Sequence, residues 1–374
     1  MSALMRLGVL LLGFGLAQGF AQENANPPSR LADLLGSDAD AAFARALEPR
    51  KFVFPADHGP HPEFRNEWWY VTGNLDAGDG RRFGFELTIF RFALAPDVPE
   101  SVSDWRTNQV YIAHLAVTHP DDERFYVAQR YSRGALGLAG AEAEPFRVWI
   151  DDWEIAQQGA SDAWRLRASG ADFGVDVTLS ALKAPSLNGR EGLSQKSGEP
   201  GNASYYYSVT RLGTEGTIRI GEREYAVSGL SWLDREWSTS ALADDQVGWD
   251  WFALQLSDGS DLMFYGLRLT DATQDAASGG TYVGPDGVTS HLNAEDVEIT
   301  VLDTWESPMG GTYPSRWRLE VSRFGIEVTV TPVMANQELF TTVRYWEGAV
   351  DVEGTRDAAP ITGRGYVELT GYAQ

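Results

Sequence analysis

The segment SWLDREW (231–237) sets three consecutive ionisable residues, Asp234, Arg235 and Glu236, between Trp232 and Trp237. Charges in so apolar a stretch are costly unless they are paired or put to use. Two readings stay open. In one, Arg235 pairs with Glu236 or Glu67 as a structural ion pair, and the aromatic rings around them fill a core. In the other, Asp234 is a buried acid on a wall of aromatic rings. Along a strand, Trp232 and Asp234 point to one face and Leu233 and Arg235 to the other. In GWDWF (248–252), Trp249 and Trp251 likewise share the face opposite Asp250. Further aromatic runs are EWWY (67–70), YYY (205–207) and YWEG (345–348). Rings from several strands with one or two carboxylates among them make an apolar pocket with a polar end. The expected lining is Trp69, Tyr205, Tyr207, Trp232, Trp237, Trp249 and Trp251.

Other chemistries find less support. The chain has no cysteine, which removes disulfides, thiol nucleophiles and Cys-ligated metals. Its five histidines, at 58, 61, 114, 119 and 291, lack the i, i+4 helical spacing of a zinc protease. No metal site is expected. GLSWL (229–233) starts like a nucleophile elbow but lacks the second glycine, so a Ser231/His291 hydrolase is the third reading. No glycine-rich loop leads into a helix, which argues against nucleotide sites. A net charge of −23 over 374 residues argues against nucleic acid and anionic membranes as partners. The expected chemistry is therefore cofactor-free, and the expected partner is a hydrophobic small molecule.

The elements that must position these residues are short strands. Residues 1–21 have one Arg, an apolar run of eleven residues and a small-residue end, the layout of a cleavable signal peptide. Export to the periplasm or beyond follows. Residues 22–51 carry a helical apolar spacing (Leu31, Leu34, Leu35, Ala42, Phe43, Leu47), predicting a short N-terminal helical segment. From residue 52 onward, alternating runs separated by Asp/Gly turns predict antiparallel barrels or sandwiches. The Trp-led hairpin at 69–85 has an echo at 251–265, which favours a duplicated β-domain, 52–238 and 239–374. The Ser-, Gly- and Pro-rich stretch 183–201 reads as a mobile loop.

Five strings in order, EWWYVTGNL (67–75), SYYYSVTRL (204–212), GLSWLDREW (229–237), GWDWFALQLSDG (248–259) and GRGYVELTGY (363–372), resemble the AttH / carotenoid 1,2-hydratase superfamily. These are secreted lipocalin-like proteins, also described as predicted secreted hydrolases. The resemblance implies two consecutive lipocalin-like β-barrels from about residue 52 to the C-terminus. In the hydratase branch it implies addition of water to the terminal double bond of an acyclic carotenoid, with the Asp of a Tyr-x-Asp string as acid. That Asp matches Asp234, preceded here by Trp232 in place of Tyr. The branch's His-x-Trp string falls on Tyr205-x-Tyr207, so neither of its residues is kept. Two functions follow as expectations: binding of an isoprenoid or lipid, with a membrane exporter as partner, or hydration catalysed by Asp234. The second needs Asp234 protonated near neutral pH, which burial among Trp232, Trp237 and Trp249 would arrange.

Overall fold

A computed structural model describes residues 29–30, 42–239 and 242–372. The expected signal peptide, 1–21, lies outside the described residues, as does most of 22–51. In the described part of that segment the helical expectation fails. Residues 42–51 are turn and irregular chain, and Ser29–Arg30 is a two-residue strand pairing in parallel with Val343 and Arg344. Among the described residues helix is confined to 3-10 turns.

The alternating runs form two large, almost wholly antiparallel sheets, a lipocalin-like all-β architecture. The first holds 13 strands between residues 66 and 238, the second 11, nearly all between 246 and 369. They share one plan. In the first, the opening strand Asn66–Ala77 lies beside the closing strand Arg223–Ser238. In the second, Gln246–Leu256 lies beside Ala359–Leu369 in the same way. From each such pair, hairpins run outward in both directions.

Each sheet wraps its own apolar core. Trp69, Trp153 and Trp237 lie in the first, Phe252, Trp317 and Trp346 in the second. A third cluster lies between the sheets, joining Tyr70, Tyr206 and Trp232 of the first to Trp251, Met263 and Tyr265 of the second. The opening and closing strands are thus buried on both faces, one toward a core and one toward the other sheet. The sheets approach closely: a Cβ added at Gly84 would lie 2.7 Å from the Ala349 Cβ. Ion pairs brace the contact, Arg82 with Asp351 (2.6 Å), Arg364 with Asp76 (2.7 Å), and Lys183 and Arg211 with Asp261 (2.7 Å each).

The stretch 183–201 is no free loop. Ser186–Leu187 and Leu193–Gln195 pair with the long strand Ala203–Ile220, and Lys183 and Lys196 both end in ion pairs. The charge network expected around Arg235 is real but faces the first core. Arg235 and Arg91 both bond the fully buried Glu67, with His61 beside them. Burial alone would raise Glu67; the two guanidiniums overcome it and hold the carboxyl well below the usual range.

Candidate active site

A cavity opens between the two sheets. The first sheet contributes Trp68, Tyr70, Phe90, Tyr206, Asp234 and Glu236, and the second Trp249, Trp251, Tyr265, Tyr345, Glu347 and Glu368. Lys196 adds the one basic group of the lining among the described residues.

Asp234 is its best-organised polar group. The register sets Ser208 opposite Asp234 and Tyr206 opposite Glu236, so all four side chains leave the strand pair on the cavity side. Ser208 donates to Asp234 Oδ1 at 2.5 Å, and the Trp232 indole N–H donates to the same oxygen at 2.6 Å. The Tyr206 hydroxyl donates to Oδ2 and accepts from the Trp251 indole at 3.1 Å, so the chain of bonds crosses from one sheet to the other. Burial pushes the Asp234 carboxyl up to about 7; the three donors hold it down in part, while Glu236 adds repulsion. Glu236 pairs with Lys196 at 2.9 Å, and the Lys196 ammonium lies 4.4 Å from the Tyr265 ring centre.

The opposite wall is also acidic. Burial, with the charges of Asp234 and Glu236, pushes Glu368 up to about 8, while the Trp249 side chain beside it favours ionisation. Burial likewise raises Glu347 and the neighbouring Glu86 well above the carboxylate range, each made worse by the other acids. Several neutral carboxylic acids beside aromatic faces can deliver protons to a bound apolar molecule at neutral pH.

The family model described as AttH-like matches residues 45–372. The chain belongs to the AttH-like family. A crystal structure of an AttH-designated protein from Nitrosomonas europaea is 33% identical, covers 89% of this chain and 100% of its own, and superimposes with a TM-score of 0.80. Kievitone hydratase from Nectria haematococca, at 17% identity, covers 90% and 96% with a TM-score of 0.65. CghA, solved with Sch210972, is 11% identical over 90% and 98% with a TM-score of 0.53. The last two likenesses are of fold alone. No curated protein matches the chain.

In this AttH-like chain the sequence-predicted residues divide between two faces. Asp234, Trp249 and Trp251 meet at the cavity, with Trp232 bonded to Asp234 beside it. Tyr205, Tyr207, Trp237 and Trp69 do not. They sit one residue out of phase with Asp234 and its partners and point into the first core. There Tyr205 bonds the Glu48 carbonyl (2.8 Å), Tyr207 meets His58 Nδ1 (2.6 Å), Trp69 bonds the His58 carbonyl (2.8 Å) and Trp237 stacks on His61 at 3.7 Å. Trp237 therefore takes no part in desolvating Asp234. Arg235 pairs with Glu67, whereas Glu236 points to the cavity and pairs with Lys196. Ser231 and His291 are not brought together: the Ser231 hydroxyl accepts from Thr214 at 2.7 Å, and His291 is exposed on a strand at the far edge of the other sheet. Tyr206, Ser208, Lys196, Glu347 and Glu368 were missed. The signal for Tyr206 was parity, since an even-numbered residue of 205–207 must accompany Asp234 in this register.

Proposed function

We propose that this protein is a cofactor-free hydro-lyase that adds water to a carbon–carbon double bond of a hydrophobic isoprenoid-type molecule. Asp234 is the proton donor. The observation that carries this reading is a buried carboxyl, raised to about 7 and bonded by three donors, on the wall of a cavity rich in aromatic rings. Protonating an unactivated trisubstituted alkene at carbon leaves a tertiary cation and the Asp234 carboxylate. Tyr206, Ser208 and Trp232 are already aimed at the oxygens where that negative charge develops, so no reorganisation is needed at the moment of transfer. The faces of Trp249, Trp251 and Tyr70 can stabilise the cation by about 0.5–2 kcal/mol each. Water then forms the C–O bond, and the proton it sheds returns to the Asp234 carboxylate and restores the acid.

The aromatic faces lining the cavity suit an isoprenoid or one end of a long polyene such as an acyclic carotenoid. Kinship of fold with a protein named as a hydratase, and with one solved around a small molecule, supports the reading. The same aromatic cavity supports a second: a carrier that holds such a molecule unchanged, exported by means of residues 1–21 and handing its load to a membrane exporter.

Incubation of the pure protein with geraniol and with an acyclic carotenoid, followed by product analysis and native mass spectrometry, separates the two. Alcohol formed by the wild type and lost in Asp234→Asn is the expected result. Ligand bound but unchanged in both proteins makes the protein a carrier, and neither binding nor turnover overturns both readings.

A further inference from the structure

Donation from Asp234 leaves Glu347, on the opposite wall, without a role. Glu347 is fully buried and lines the cavity, and among the described residues it is the one buried carboxyl with no hydrogen-bond partner at either oxygen. The Tyr70 hydroxyl, on the same lining, stands beside it and completes no hydrogen bond of normal geometry. Glu67, Asp261 and Glu338 are by contrast satisfied within the fold, by Arg91 and Arg235, by Lys183 and Arg211, and by Arg344. The cavity's Lys196 is taken by Glu236. Buried polar groups left open are costly. Two of them side by side on a cavity wall call for a polar atom in what the cavity holds.

Burial, with Glu86 and Glu368 nearby, keeps the Glu347 proton in place at neutral pH. A protonated carboxyl offers a donor and an acceptor, and so does a phenol. One ligand oxygen can accept from both, as a carbonyl does, or accept from one and donate to the other, as an alcohol does. An anion fits poorly, since it would stand among Glu86, Glu347 and Glu368 with Lys196 already paired. The register sets the distance to the acid. Glu368 lies opposite Trp251 on one side and Glu347 on the other, so the three form one row across neighbouring strands. Glu347 is thus two strand spacings, about 10 Å, from Trp251. The Trp251 indole bonds the Tyr206 hydroxyl, which in turn bonds Asp234. A hydrocarbon chain hung from an oxygen at Glu347 therefore runs along this row toward the acid.

We propose that the Glu347 carboxyl and the Tyr70 hydroxyl anchor a neutral oxygen, an alcohol or a carbonyl, carried by the isoprenoid at the end remote from the double bond that Asp234 protonates. This deepens the hydration reading and rests on its placing of an isoprenoid in the cavity. The ligand is thereby an oxygenated isoprenoid rather than a pure hydrocarbon, a prenyl acid or a prenyl diphosphate. Glu347 and the Tyr70 hydroxyl position the ligand and exchange no proton with the reacting carbon. The anchor also selects the bond that reacts. In geraniol held by its hydroxyl, the distal double bond comes to Asp234, and the one next to the hydroxyl stays at the Glu347 end.

Fluorescence titration of the full chain with geraniol, with the hydrocarbon that lacks only its hydroxyl, and with geranic acid tests this. Glu347→Leu removes the carboxyl. Tyr70→Phe removes only the hydroxyl and keeps the ring that packs edge-on against Trp251 at 5.1 Å. In each variant the ratio of geraniol affinity to hydrocarbon affinity should fall about tenfold from its wild-type value, the scale of one buried hydrogen bond, with hydrocarbon affinity held or improved. Loss of affinity for both compounds alike would mark a structural role and overturns the anchor. So does a ratio that is the same in all three proteins, the result expected if solvent alone satisfies the pair. Geranic acid should bind the wild type about tenfold or more weakly than geraniol at pH 7, and equal binding, or binding of none of the three, also overturns it. These readouts need no turnover. A wild type that shows the hydroxyl preference and hydrates nothing overturns the hydration reading and leaves the anchor, whereas one that hydrates an acyclic carotenoid without that preference does the reverse.

Discussion

Replacing Asp234 by asparagine should abolish a pH-dependent loss of stability while removing the proposed acid. In the folded chain the carboxyl keeps its proton up to about 7; once unfolded it releases it near 3.8. Between those values the native state binds more protons than the unfolded chain, so stability falls as pH rises through the window. The contribution is intact below about 3.8 and lost above about 7. About 3 pH units at about 1.4 kcal/mol each make the loss about 4 kcal/mol, as an upper bound. Asparagine is neutral throughout and escapes that loss. Its single carbonyl oxygen cannot satisfy Ser208, Tyr206 and Trp232 as a carboxylate does, but that deficit is constant with pH and moves the curve without changing its slope. Urea unfolding of both proteins from pH 4 to pH 8 reads the difference directly. The stability of Asp234→Asn minus that of the wild type should climb by a few kcal/mol between pH 4 and 7 and level off near pH 8. A difference constant across that range refutes the reasoning, because it means Asp234 ionises as readily in the fold as out of it.

Other consequences follow from the same geometry. Glu67→Gln leaves Arg91 and Arg235 buried without a counter-charge and should cost about 3–5 kcal/mol in urea unfolding. Trp251→Ala removes both a cavity wall and the indole bonded to Tyr206, and should weaken binding of a prenyl alcohol about tenfold by fluorescence titration. Tyr207→Phe, whose hydroxyl bonds His58 inside the first core, should leave that affinity unchanged. Exported protein should begin just after Ala21 by N-terminal sequencing.

The fold was largely legible, because period-two alternation and Asp/Gly turns are local signals and the chain carries them from residue 52 onward. Asp234, Trp249 and Trp251 were legible as well, since spacing by two residues fixes a common face once a strand is granted. Tyr205, Tyr207, Trp237 and Trp69 were assigned to the wrong face for a physical reason. Opening and closing strands buried on both faces carry aromatics at odd and even positions alike, and composition then no longer distinguishes the core face from the intersheet face. The register that would decide it, Tyr206 opposite Glu236, depends on pairing with Arg223–Ser238 across an irregularity between Val209 and Leu212. Lys196 was hidden in a stretch whose composition reads as loop, and its order comes from pairing with Ala203–Ile220 and from Glu236. The cavity's place between the sheets had no local signature, because it is made by the packing of one sheet on the other.

The central claim is that Asp234 acts as a neutral acid in the intersheet cavity, and the pH dependence of alkene hydration tests it most directly. Wild-type activity on geraniol or an acyclic carotenoid should fall as pH rises through about 7, the range in which Asp234 loses its proton, and Asp234→Asn should be inactive at every pH. Hydration that is flat from pH 5 to pH 9, or that survives in Asp234→Asn, would contradict it.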